Sequence, residues 1–259
     1  MCEPVVKYEK VNSTGIIILN RPEALNALNQ QVFCELERIF KAVALNGQVK
    51  VVVLTGAGKA FAAGADIVEI QNLSPSGAED FAQLAFRVQQ QISLLPKPTI
   101  AAINGYALGG GCEVSLCCDL RIAADNAKFG LPEINLGIIP GGGGTQRLSR
   151  LIGLTRAKEM VFLGKIITAQ EALEVGLVNK VVPRDNVLSE ALNLANEIAN
   201  KSAPALALAK SAINVGYDLD LNNALQYEIA CFLETFTTQD HSEGIDAFIK
   251  KRKPRFIDQ

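Results

Sequence analysis

One charged side chain stands alone in "NGYALGGGCEVSLCCDL" (residues 104–120): Glu113 has no charged neighbour back to Asn104 or forward until Asp119. Around it are Ala107, Leu108, Val114, Leu116, Cys117 and Cys118, so the local pattern marks it for burial. A buried carboxylate without partners is costly, and it either takes up a proton or gathers hydrogen-bond donors. Either state is useful to chemistry, the first as an acid and the second as a base. Pairing with Arg121 or Lys128 is the purely architectural alternative. A second carboxyl, Glu133 in "FGLPEINLG", follows Pro132 and taken alone reads as a first-turn helix residue favoured by the macrodipole.

Glycine-rich loops flank these acids, and they are not phosphate loops. In "TGAGKAFAAGAD" (55–66) a dinucleotide fingerprint begun at Gly56 needs glycine where Phe61 stands. A P-loop ending at Gly58-Lys59 needs glycine at Val53 and Ser or Thr at Ala60. "ALGGGCEV" has Val114, and "PGGGGTQRL" has Arg147, where a last glycine belongs. Glycine also lets a ligand approach the backbone and its N–H donors. Two such loops converging would make an oxyanion hole, each donor contributing about 2.7–4 kcal/mol to a transition state. Any one loop alone reads as a tight turn.

The elements that must position these residues are legible as alternating patterns. "GIIILN" (15–20), "VKVVVLTG" (49–56), "PTIAAING" (98–105) and "DLRIAA" (119–124) are apolar runs of strand length, and their near-continuous hydrophobicity predicts strands buried on both faces. "NQQVFCELERIFKAVALNG" spaces Val32, Leu36, Ile39, Phe40 and Val43 along a helix capped by Asn29 and ended by Gly47. "SGAEDFAQLAFRVQQQISLLP" predicts another helix, stopped by Pro96 and Pro98. Beyond "GLVNKVVP" (176–183) the pattern is helix upon helix. A soft boundary is expected near residue 195, dividing a core of residues 1–195 from a dependent helical region of 196–259 that packs on the core or on another subunit. No fixed-period repeat is visible in the sequence.

Bulk properties exclude several classes. The 259 residues carry a net charge of −2, with 49% hydrophobic and 20% charged side chains, as in an ordinary globular protein. There is no basic field to attract nucleic acid. No run of 18 apolar residues suggests a membrane span, and "MCEPVVKYEK" has neither a secretory nor a transit pattern. The six cysteines (2, 34, 112, 117, 118 and 231) show no metal-site spacing and read as reduced thiols in a cytoplasmic protein. The one histidine, His241, lies in polar "TTQDHSEG" and reads as a solvated helix-start residue, so no Ser-His-Asp triad can form.

Taken in order, "LNRPEALNAL" (19–28), "LTGAGKAFAAGADI" (54–67), "INGYALGGGCE" (103–113), "FGLPEINLGIIPGGGGTQRL" (129–148) and "EALEVGLVNKVV" (171–182) resemble the crotonase, or enoyl-CoA hydratase, family, with the likeness running to "AFIKKRKPRF" (247–256). The resemblance implies an α/β fold, a spiral of repeated β-β-α units followed by helices that assemble trimers, often stacked as dimers of trimers. It implies oxyanion donors at the backbone N–H groups of Ala65 and Gly110, and a substrate and coenzyme A groove formed by Ala24, Leu25, Ala62, Ala63, Asp66, Ile67 and Gly141. It places the two hydratase glutamates at Glu113 and Glu133, twenty residues apart as in the family. The working assignment has Glu113 hold and deprotonate the water and Glu133 give the Cα proton, the two titrating as a unit. The activity implied is reversible hydration of a trans-2-enoyl-CoA, crotonyl-CoA and other short chains first. No metal or other cofactor is implied, coenzyme A arriving as part of the substrate. A Δ3,Δ2-enoyl-CoA isomerase, which needs one carboxylate, is the nearest rival, and RNA binding, known among some relatives, is disfavoured by the acidic balance.

Three positions depart from the family pattern. Leu131 stands where many relatives have Gln, Val68 where many have Lys, and Gly142 where many have a larger residue. The expectation at Gly142 is extra room for acyl bulk. The run "KKRK" (250–253) either reaches a coenzyme A phosphate or complements a helix C-terminus, and the second reading is preferred.

Overall fold

All four apolar runs expected to be strands are strands, and shorter ones lie between them that the apolar pattern hides. The computed structural model describes residues 3–258, so Cys2 falls outside the described residues. In chain order the strands are β1 (Val6–Val11), β2 (Thr14–Leu19), β3 (Val51–Gly56), β4 (Ala60–Ala62), β5 (Thr99–Ile103), β6 (Tyr106–Leu108), β7 (Leu120–Ala124), β8 (Lys128–Gly130), β9 (Ile166–Thr168) and β10 (Lys180–Val182). The larger sheet runs β1-β2-β3-β5-β7-β10 and the smaller β4-β6-β8-β9. Every residue of β3 and β5 is buried, as their uninterrupted apolar sequences predict.

A strand of the large sheet is followed three times by a strand of the small one. β3 leads to β4, β5 to β6, and β7 to β8, and within each sheet the three run parallel. After β4 come α1's partners in the helical layer; α1 itself (Gln30–Leu45) precedes β3, and α2 (Ile67–Gln71) and α3 (Pro75–Ser93) follow β4. After β6 comes α4 (Gly110–Leu116), and after β8 a 3-10 segment (Pro132–Leu136). This is a β-β-α spiral whose repeat is structural and leaves no fixed period in the sequence. Its consequence is positional: the ends of β4, β6 and β8 lie side by side, and ligands of parallel sheets bind beyond such carboxyl ends.

Helix α1 starts where Asn29 caps it, its side chain accepting the N–H of Val32. Its end differs from expectation. Asn46, in extended conformation, is the C-cap, and Gly47 has no left-handed φ, so the chain turns away without needing glycine. The remaining helices are α5 (Gly144–Ile152), α6 (Leu154–Phe162), α7 (Ala169–Glu174), α8 (Val187–Ala199), α9 (Ala203–Tyr217), α10 (Leu221–Thr235) and α11 (Gln239–Ile249). The expected boundary at residue 195 falls inside α8, which lies across the large sheet and buries Val187, Ala191 and Ala195 there. The helices that leave the sheets begin at α9, capped by Ser202. No helix of the described residues is long and apolar enough to cross a membrane.

Candidate active site

Three loops meet at the carboxyl edge of the small sheet, one from each turn of the spiral. The loop after β4 holds Gly64, Ala65 and Asp66. The loop after β6 is Gly109, which caps α4. The loop after β8 leads through Leu131 and Pro132 to Glu133.

The first loop is fixed by a parallel bridge between Leu28 and Ala65. In that bridge the Leu28 N–H donates to Gly64 O (2.8 Å) and the Asp66 N–H to Leu28 O (2.9 Å). The bonds of such a bridge belong to the residues on either side of Ala65, so its own N–H points the other way. Gly110 lies alongside: a side chain begun at Gly110 would lie 3.7 Å from the Ala65 nitrogen. Gly110 is the first residue of α4, where backbone N–H groups have no partner within the helix. Two N–H donors thus stand together at the end of the small sheet.

Gly109 has φ +50° and ψ −127°, a conformation open essentially to glycine alone. A Cβ there would meet Glu133 Oε1 at 2.8 Å, so the Glu133 carboxyl rests against the turn that launches α4. Gly111 is pressed as closely on Ala62, whose carbonyl occupies the space of a side chain.

Glu113 is 3% exposed. Its Oε1 accepts the N–H groups of Gly142 and Gly144, each at 2.8 Å, from the glycine run before α5. Arg121 is otherwise engaged: it donates to the carbonyls of Leu177, Ser115 and Cys118. The architectural pairing considered for Glu113 is therefore not made with Arg121. Burial pushes the Glu113 carboxyl above its ordinary value, while the Gly144 and Gly142 donors and the Arg147 charge pull it back. Glu133 is pushed further, to about 7, first by burial and then by the negative charge of Glu113. Its Oε2 is buried without a hydrogen-bond partner among the described residues. The helix macrodipole, which would lower its pKa, is overridden. One carboxyl has donors that suit an anion, and the other has surroundings that favour the acid.

An open groove of about 1100 Å³ lies beside this edge, lined by Arg21, Ala24, Cys34, Asp66, Val68 and Leu73 among others. Of the predicted groove residues it contains Ala24 and Asp66; Leu25 and Ile67 are exposed on its flanks, Ala62 is buried in β4, and Ala63 is half-buried after it. Gly141 is exposed at the start of the glycine run. Asp66 is held by Arg21 at 2.9 Å. In the basic run, Arg252 pairs with Glu243 (2.6 Å) and Asp246 (2.7 Å), and Lys250 with Asp246 (2.7 Å). Those two cations are held by acids of α11 just past its end.

The expectation at Gly142 is corrected. A Cβ on this buried glycine would lie 2.4 Å from both Glu113 Oε2 and Gln89 Nε2. The space a larger residue would fill is taken by an amide and a carboxylate, and none is left there for acyl bulk. Of the other two departures, Leu131 is fully buried beneath Gly144, and Val68 is exposed on the groove.

Sequence reasoning passed over Asn26 and Gln89. Asn26 is 1% exposed; its amide donates to the carbonyls of Ala57 and Ala60, and its Oδ1 accepts the Arg21 N–H, which ties "LNRPEALNAL" to the β3–β4 turn. Nothing in its neighbours signals that role. Gln89 was readable: it stands four residues after Ala85 and three before Ile92, on the buried stripe of α3.

A β-β-α spiral presenting two amide donors and two differently poised carboxyls at one sheet edge is the architecture of a crotonase-type enzyme. The chain belongs to the enoyl-CoA hydratase/isomerase family, whose model matches residues 9–259. It is 46% identical to the short-chain-enoyl-CoA hydratase of Clostridium acetobutylicum, over 96% of this chain and 95% of that one. It is also 46% identical to the crotonyl-CoA hydratase of Syntrophomonas wolfei, over 96% of each. Among solved structures, the enoyl-CoA hydratase of Bacillus anthracis superposes with a TM-score of 0.96 at 42% identity, covering 98% of this chain and 100% of that one.

Proposed function

We propose that this protein reversibly hydrates trans-2-enoyl-CoA thioesters, crotonyl-CoA and other short chains first, to 3-hydroxyacyl-CoA. The observation that carries the reading is the asymmetric pair: Glu113 supplied with two backbone donors, Glu133 held near neutrality, both beside the Ala65 and Gly110 N–H groups. In the hydration direction, Glu113 takes a proton from water as the water oxygen bonds to Cβ. The double-bond electrons move to the thioester oxygen, and the N–H groups of Ala65 and Gly110 hold the resulting enolate. Glu133 then delivers its proton to Cα. The pair begins and ends with one proton between them, so the same state serves dehydration with the roles exchanged.

The coenzyme A thioester would lie along the groove past Ala24, Leu25, Ala62, Ala63, Asp66, Ile67 and Gly141. The oxyanion donors do the electrophilic work, and the chemistry calls on no metal or redox cofactor. A homotrimer or dimer of trimers is proposed for the assembly, on the apolar faces of α9–α11. A cytoplasmic setting suits the unpaired thiols of Cys34, Cys112, Cys117, Cys118 and Cys231.

The test follows loss of the conjugated thioester absorbance of crotonyl-CoA. Glu113→Gln and Glu133→Gln are each expected to lower kcat by about 10²–10⁴-fold while the thioester still binds. Retained hydration in either variant, or none in the wild type with any enoyl-CoA, would overturn the two-glutamate reading. Migration of a 3-enoyl double bond without hydration would favour the isomerase.

A further inference from the structure

Helix α3 buries Leu84, Ala85, Val88 and Ile92, and in the same stripe Gln89, which is 1% exposed. A buried amide is costly unless its hydrogen bonds are met. Gln89 Nε2 lies 2.4 Å from the point where a Gly142 Cβ would be, and Glu113 Oε2 lies 2.4 Å from the same point. The two atoms are therefore no further apart than twice that distance; they make no direct hydrogen bond among the described residues, and the gap is one that a single water spans. Both backbone donors of the glycine run go to the other oxygen, Oε1.

We propose that Gln89 is a positioning residue for Glu113: its amide, lodged in the space left by the missing side chain at Gly142, holds Oε2 in place and favours the anionic carboxylate. The inference rests on the hydratase reading for its catalytic meaning but not for its geometry. The charged and titratable groups facing Glu113 are Glu133 from the 3-10 segment, Arg147 from α5, Cys112 from its own helix and Cys117 at that helix's C-cap. Of the groups beside Oε2, Gln89 is the neutral donor brought by α3. Removing that donor should raise the Glu113 pKa, because the anion loses a partner and the acid loses less.

Gln89→Met keeps the side-chain length and removes the N–H donors, and Gln89→Leu repeats the test should the thioether variant fold poorly. With crotonyl-CoA, the acidic limb of the kcat/KM profile should move up by about one pH unit. At neutral pH kcat should fall several-fold with KM nearly unchanged. In parallel, carbon-13 titration of the Glu113 carboxyl without substrate, assigned with Glu113→Gln, should show the same upward shift. An unmoved limb and an unmoved titration in a folded variant would overturn the proposal. Wild type that hydrates nothing would sink the hydratase reading alone, and the substrate-free titration would still decide the role of Gln89.

Discussion

Glu133 owes its chemistry to what surrounds it, and that makes its protonation measurable in two independent ways. Burial and the Glu113 charge move its pKa from an ordinary 4.5 to about 7. Below that value the folded protein holds the proton that hydration needs, and above it the proton is lost. The basic limb of the kcat/KM profile should therefore fall near pH 7, the two limbs belonging to the pair. Stability follows the same shift with a definite sign. The pKa is higher in the folded state, so the favourable contribution is complete below the unfolded value of 4.5 and is lost as pH rises through 7. Glu133→Gln, which cannot ionise, should melt higher than wild type at pH 8, with the advantage shrinking toward pH 4.5. Melting curves of the two proteins at both pH values check this; an equal difference at each would mean that the Glu133 pKa is the same in the folded and unfolded states.

The elements convert these side chains into a site by bringing three loops to one sheet edge. Strands β2, β3, β5 and β7 were legible because their apolar runs are five or six residues long, whereas the equally long β1 is mostly polar and exposed and was passed over. β4, β6 and β8 are three residues each, too short for a periodic signal, yet they aim Ala65, Gly110 and Glu133. The two glutamates were legible from one apolar context and one family motif, whereas their opposite environments depend on packing between loops distant in sequence. The clearest test is Gly109, where φ +50° and the Glu133 carboxyl, 2.8 Å from any Cβ, act together. Gly109→Ala should cost about 1–3 kcal/mol of stability and lower hydration at least tenfold by displacing Glu133. Gly176→Ala is the control: φ is +77° but nothing lies within 4 Å of its Cβ, so strain is introduced without touching the site. Stability should fall there while kcat stays within about twofold. Equal losses of activity in both would assign the effect to backbone strain alone.

At the scale of the whole molecule, the helical end is held firmly while its apolar side chains face outward. Asp240 accepts the N–H groups of Ile257 (2.8 Å) and Asp258 (3.1 Å), and Asp258 in turn pairs with Lys50 at the foot of β3 and accepts the Ala203 N–H. This fastens α9 and α11 to the chain's first layers. Even so, Ile213, Ile229, Phe232, Phe236, Phe248 and Ile249 are 48–81% exposed. Phe232 and Phe236 stack edge to face at 5.0 Å on that surface. Single exposed apolar residues are ordinary, but a concentration of large ones on well-held helices is what a subunit interface would present. Assembly would cover it, as the trimer or dimer of trimers proposed above requires. Wild type should sediment as a trimer or hexamer at micromolar concentration, and Phe232→Asp with Phe248→Asp should shift it to smaller species. Because both phenylalanines are exposed in the single chain, the double variant should keep its helical circular dichroism. A wild type that sediments as a monomer would remove the assembly from the proposal, leaving the apolar surface to be explained by another partner.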